Sequence, residues 1–125
     1  MGKTRTMNRL QIIATGVILY LGIQACTKDT STTTSYSCTG ITPTYTTDIK
    51  PIYDSYCASS GCHGSNGAAG IKLNTYSNCM SANDSRILGS IEHASGYNPM
   101  PQGSGKLSDT QIQKIYCWIQ NGKPQ

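Results

Sequence analysis

Residues Cys57-Ala58-Ser59-Ser60-Gly61-Cys62-His63-Gly64 bring two thiols and an imidazole into a single short segment. By chemistry alone, the pair can close a local Cys57–Cys62 disulfide, with His63 a surface residue. It can also contribute to a zinc site, although two Cys and one His leave such a site one ligand short. Immediately upstream, Ile49, Ile52, Tyr53 and Tyr56 recur at i, i+3, i+4 and i+7 and predict a helix over about Asp48–Tyr56. Thr47 is placed as its N-cap. Pro51 then falls at the fourth helical position, where its missing N–H has no intrahelical partner to lose. Downstream, Ile87, Leu88 and Ile91 mark a shorter helix around Asp84–Ala94. A capping-box pattern, Ser108 with Gln111, opens a third helix in which Ile112, Ile115, Tyr116 and Ile119 repeat the same spacing. Gly122 stands where a left-handed C-terminal residue belongs, and Pro124 prevents continuation. The connections are rich in Gly, Asn and Ser and contain no strand pair. The expected fold is all-α, with three main helices and long loops.

Composition leaves that fold short of a core. The 125 residues suffice for one domain. Only 37% are hydrophobic, and Phe is absent. Three short amphipathic helices ordering roughly 80 residues come out near zero stability when buried area is set against chain entropy. Something besides side chains has to fill the middle. Six cysteines at this length point to covalent support as well.

The segment Cys57–His63 resembles the haem-attachment motif of c-type cytochromes, usually C-x-x-C-H, here lengthened to Cys-x4-Cys-His. The resemblance implies that Cys57 and Cys62 add to the porphyrin vinyl groups and that His63 is the proximal iron ligand. Gly61 and Gly64 give the longer loop conformational freedom. The C-terminal half, SRILGSIEHASGYNPMPQGSGKLSDTQIQKIYCWIQNG, resembles the distal half of small envelope cytochromes: a helix, a Met-Pro loop, a Gly-rich turn and a closing helix. Met100, between Pro99 and Pro101, falls at the position of the distal iron ligand, and a following proline biases it toward extended backbone. DIKPIYDSYC and GIKLNTY agree with the segments on either side of the attachment motif, so the resemblance spans about residues 46–123. It implies a cytochrome c-like fold wrapped around one haem c. His93 is the rival distal ligand, although a buried or propionate-bonding role suits it better. Met80 is a poorer candidate because no comparable loop frames it. Trp118, Tyr116 and Ile119 are expected to pack helix on helix or against the porphyrin.

The N-terminus reads as an address. Lys3, Arg5 and Arg9 precede a largely apolar run from Leu10 to Ile23, too short for the about 20 residues of a membrane span. LGIQAC then resembles a bacterial lipobox, which implies removal of residues 1–25 as a signal peptide and lipidation of Cys26. Residues 27–47 contain 13 Ser or Thr in 21 positions, so 26–47 reads as a flexible tether and 48–125 as the cytochrome-like domain. Lys28-Asp29 resembles a sorting signal for the outer membrane or the cell surface. The expected location is the cell envelope, lipid-anchored in the outer membrane and facing the periplasm or the exterior, where disulfides persist. Of the remaining Cys38, Cys79 and Cys117, the last lies about 140° around its helix from Ile112, so it faces away from the core. Both Cys38 and Cys79 are possible partners for it. Packing of the terminal helices in cytochromes of this kind favours Cys38–Cys117, leaving Cys79 as a thiol.

From Cys26 onward, seven Lys/Arg stand against six Asp/Glu, a net of +1. That excludes the basic patch of a nucleic-acid binder and argues against electrostatic steering of a partner. The leading expectation is a lipid-anchored monohaem electron carrier, not an enzyme, with redox proteins of the envelope as partners. Two other functions are consistent with the segment. A haem enzyme of peroxidase type would need Met100 off the iron and would use Glu92 with His93 as acid and base. A haem-free, disulfide-stapled binding lipoprotein explains the signal and the cysteine count, but not His63 directly after Cys62.

Overall fold

The computed structural model describes residues 34–125. The expected signal peptide, Cys26 and the tether as far as residue 33 lie outside them. Among the described residues there are four α-helices, a π-helical turn and a short 3-10 turn, with no strand. None of these helices is long and apolar enough to cross a membrane.

Helix α1 (Lys50–Tyr56) grows out of a π-helical turn over Tyr45–Ile49. Its cap is therefore Thr44 rather than Thr47. Thr44 Oγ1 accepts the Thr47 N–H at 3.4 Å, and Asp48 Oδ2 accepts the Thr44 N–H at 3.1 Å. Pro51 is the reason for the shift. Its ring crowds the carbonyl four residues back, and it has no N–H to give. The chain ahead of it winds wider, with the N–H of Ile49 on Thr44 O and that of Lys50 on Tyr45 O.

Helix α2 (Tyr76–Ser81) has no apolar period and escapes a sequence reading; it starts where Thr75 Oγ1 accepts the Asn78 N–H at 3.3 Å. Helix α3 (Asp84–Ile91) is capped by Asn83, whose Oδ1 accepts the Arg86 N–H at 2.9 Å. It stops at Ile91 rather than near Ala94, because His93 adopts a left-handed φ of 55°. Helix α4 (Asp109–Gln120) has the full capping box. Ser108 Oγ accepts from Gln111 N at 3.3 Å, and Gln111 Oε1 accepts from Ser108 N at 3.0 Å. Gly122, with φ 81°, ends it.

The core lies where the first and last elements meet. Ile49, Tyr53, Ile112, Ile115 and Trp118 are buried there. The Tyr45 ring stands 5.2 Å from Tyr76 and 6.1 Å from Trp118. The C-terminal tail closes over this cluster: Pro124 O accepts from Trp118 Nε1 at 2.8 Å and from Tyr45 N at 2.9 Å. Lys123 is only 7% exposed. Its ammonium rests on the carbonyls of Cys79 and Met80, both at 3.3 Å, and pairs with Asp84. A cation thus meets the C-terminal end of α2 and a carboxylate the N-terminal end of α3, as both helix dipoles favour.

The folded domain begins well before residue 48. Cys38 is joined to Cys117 by a disulfide of Cα–Cα 5.4 Å, and Tyr36 packs on Tyr116 with ring centroids 5.6 Å apart. Gln113 Nε2 donates to Ser37 O at 2.8 Å, and Asn121 Nδ2 donates to Ile41 O at 3.2 Å. Ser/Thr content hides this strap across the outer face of α4, because a few anchors and one covalent bond hold it in place of a continuous apolar stripe. Cys57, Cys62 and Cys79 are free thiols.

Candidate functional site

The lengthened cysteine segment folds back on the end of α1. Tyr53 O accepts the N–H groups of Cys57 at 2.8 Å and Ala58 at 2.7 Å, which closes the helix. A turn follows, with Cys62 N–H on Ser59 O at 3.0 Å. The N–H of His63 then reaches Cys57 O at 2.9 Å. That bond sets the imidazole-bearing residue beside the first cysteine while Ser59–Cys62 bulge outward and stay exposed. Gly64 makes the return possible. A Cβ there would lie 2.7 Å from Ser59 O and 2.8 Å from Ala58 O, both backbone atoms. Gly61, by contrast, has nothing within 4 Å, so close approach does not require it.

Next to this turn lies a cavity of about 840 Å³, within the range of cofactor sites. Cys57, His63 and Met100 all line it, and Tyr53, Leu73, Ile87 and Ile91 supply apolar wall. Cys62 is exposed and does not line it. His63 is held by its far nitrogen: Nδ1–H donates to Ile71 O at 3.1 Å. The backbone is fixed too, since Leu73 N–H donates to His63 O at 2.7 Å. This fixes the tautomer in which Nε2 carries the free lone pair of a metal ligand. Burial, with Cys79 and Cys62 nearby, pushes the Cys57 thiol up to about 12, so it is protonated at neutral pH. Burial likewise raises Cys79 to about 11, against a lowering from the Tyr45 hydroxyl and Lys123.

Met100 reaches the cavity from the loop after α3. Its N–H donates to Ser90 O at 2.9 Å, and its carbonyl accepts from His93 Nε2 at 3.0 Å. His93 itself is exposed rather than buried, and it does not line the cavity. Glu92 does not line this cavity either; burial raises its carboxyl above the ordinary range. Met80 is exposed, away from the site.

Two site residues carried no signal of their chemistry in the sequence. Tyr53 reads as a core aromatic, and it is 1% exposed; yet it belongs to the cavity lining, and its buried hydroxyl has no hydrogen-bond partner. Tyr97, 41% exposed, borders the cavity because Gly89 leaves room for its ring; a Cβ at Gly89 would lie 2.5 Å from Tyr97 Cγ. A glycine inside the apolar face of α3 was the available clue.

The donor set fits a haem. It offers an imidazole, a thioether and the unpaired Cys57 thiol around one cavity with Tyr53, Leu73, Ile87 and Ile91 as its apolar wall, and the unpaired Cys62 thiol on the adjoining turn. It does not fit a bare ion: among the described residues no three His, Cys, Asp or Glu converge to hold one. The family model described as cytochrome C oxidase, cbb3-type, subunit III matches residues 45–119, 75 of the 125 residues. The match runs from buried Tyr45 to the last turn of α4. No curated protein and no solved structure matches the chain.

Proposed function

The chain belongs to the cytochrome C oxidase, cbb3-type, subunit III family, a haem-binding c-type cytochrome domain, and from that premise we propose a lipid-anchored monohaem electron carrier of the bacterial envelope. Cys57 and Cys62 would fasten the haem, and His63 and Met100 would hold its iron. The observation that carries this reading is the meeting of Cys57, His63 and Met100 on one cavity, with His63 Nδ1 engaged by Ile71 O. Cys62 joins from the exposed bulge, whose short turn leaves its thiol free.

When bound, the haem supplies a one-electron couple at iron. The chain's own residues set the conditions for it. The Ile71 carbonyl orients the His63 ring and raises the basicity of Nε2. The Met100 thioether, a soft donor, favours reduced iron and raises the potential. With His63 and Met100 both holding the iron, no position would be left for peroxide, and Glu92 and His93 stand off the cavity. Tyr97 at the cavity border gives a redox partner an apolar contact, in keeping with the nearly neutral charge of the chain after Cys26. The basic start, apolar run and LGIQAC segment support export and an anchor at Cys26.

The test is a redox titration of the exported holoprotein beside Met100→Ala. The ferric wild type is expected to display the weak iron–thioether band. Met100→Ala is expected to lose that band and to lower the potential by on the order of 0.1–0.3 V, within the roughly 0.8 V that axial ligands span. An unchanged band and potential would remove Met100 from the iron.

A further inference from the structure

His93 adopts a backbone conformation that L side chains avoid. Its φ is 55°, just past the end of α3, in a region where a Cβ crowds the following carbonyl. The left-handed turn closes the end of α3, with the N–H of His93 on Ser90 O at 3.2 Å and that of Ala94 on Gly89 O at 2.9 Å, and it also sets the imidazole Nε2 3.0 Å from the carbonyl oxygen of Met100. That oxygen only accepts, so Nε2 carries the proton and Nδ1 is left for solvent. The other polar backbone group of Met100 is engaged from the same place, its N–H donating to Ser90 O at 2.9 Å. Both hydrogen-bonding groups of Met100 are therefore tied to the C-terminal end of α3. Residues 95–99 between them are exposed. Without the imidazole, the loop would be secured at Met100 by the Ser90 bond alone.

We propose that His93 is a positioning residue for the distal ligand: its Nε2–H clasps the Met100 carbonyl and holds the thioether toward the iron. The proposal rests on Met100 being that ligand. The free energy of one exposed hydrogen bond sets the size of the effect, a shift of roughly three- to tenfold in how readily Met100 is displaced.

The experiment titrates ferric holoprotein with imidazole, which competes with the thioether, and follows loss of the iron–thioether band. Wild type, Met100→Ala, His93→Gly and His93→Gln are compared at equal haem content. Glycine accepts the positive φ without strain and removes only the imidazole, so it separates the clasp from the backbone. Imidazole is expected to bind His93→Gly roughly three- to tenfold more tightly than wild type, with the urea midpoint unchanged, and glutamine is expected to restore part of the difference. A lower urea midpoint with unchanged imidazole affinity would make His93 merely structural. Equal behaviour of His93→Gly and wild type would overturn the clasp while leaving ligation by Met100 intact. Absence of the band in wild type, with Met100→Ala binding imidazole no better, would overturn the ligation reading and the clasp with it.

Discussion

A methyl group at position 64 has nowhere to go, because the obstructing atoms are the Ala58 and Ser59 carbonyls rather than a mobile side chain. Gly64→Ala should therefore open the turn that returns His63 to Cys57, at about 1–3 kcal/mol of strain. The expected outcome is a lower urea midpoint and a smaller fraction of exported protein carrying haem, whereas Gly61→Ala leaves both near wild type. The thiols divide by burial in the same way. In the haem-free chain, an alkylating reagent near pH 8 should mark exposed Cys62 first. Cys57 and Cys79, raised to about 12 and about 11, should react only on unfolding. Peptide mapping by mass spectrometry checks this, and early labelling of Cys57 would contradict the burial assigned to it. At this scale the sequence singled out residues of distinctive type at short spacing, of which Cys57, His63 and Met100 line one cavity while Cys62 stands exposed outside it. It was silent on contacts made across a loop, as with the Tyr97 ring over Gly89 and the His93 imidazole on Met100.

Helices were legible in proportion to their apolar period and their caps. Helix α4 has both, and its capping box is formed by the very pair, Ser108 and Gln111, that the pattern indicates. Helix α2 has neither period nor length, and only Cys79 of its six residues is buried. The start of α1 was misplaced because a proline reads as a tolerated early helical residue, while its effect is to widen the turn before it. That turn is held by Asp48, whose carboxylate accepts from Lys114 at 3.0 Å and from Thr44 N at 3.1 Å. These bonds lower the Asp48 pKa, the Lys114 contact first. The carboxylate thus contributes stability above its unfolded value of about 3.9, and the contribution is lost as pH falls through the lower folded value. The urea midpoint should accordingly drop on acidification below about pH 4, and Asp48→Asn should reduce the midpoint at neutral pH while flattening that drop. An identical acid profile in the variant would assign the effect to other groups.

Taken whole, the domain is a small core stiffened from three directions. The disulfide closes a separation of 79 residues, for which chain entropy alone gives on the order of 4 kcal/mol. Buried Lys123 ties the tail to α2 and α3. The third support, on the function proposed above, would be the haem in the cavity beside Tyr53 and Ile91. Composition argues for it, since too few large apolar residues are available for the helices the periodicity predicts. The extent of the domain was not readable, because Tyr36 and Cys38 are embedded in Ser and Thr. Covalent haem on a cysteine pair of unusual spacing is read from the mass and visible spectrum of the exported protein after denaturation and extraction with acidified organic solvent. One haem mass should remain on the chain, the haem spectrum should persist, and Cys57 and Cys62 should both be blocked to alkylation. A colourless chain of unmodified mass with both thiols alkylated, prepared alongside a C-x-x-C-H cytochrome that does retain haem, would contradict covalent attachment.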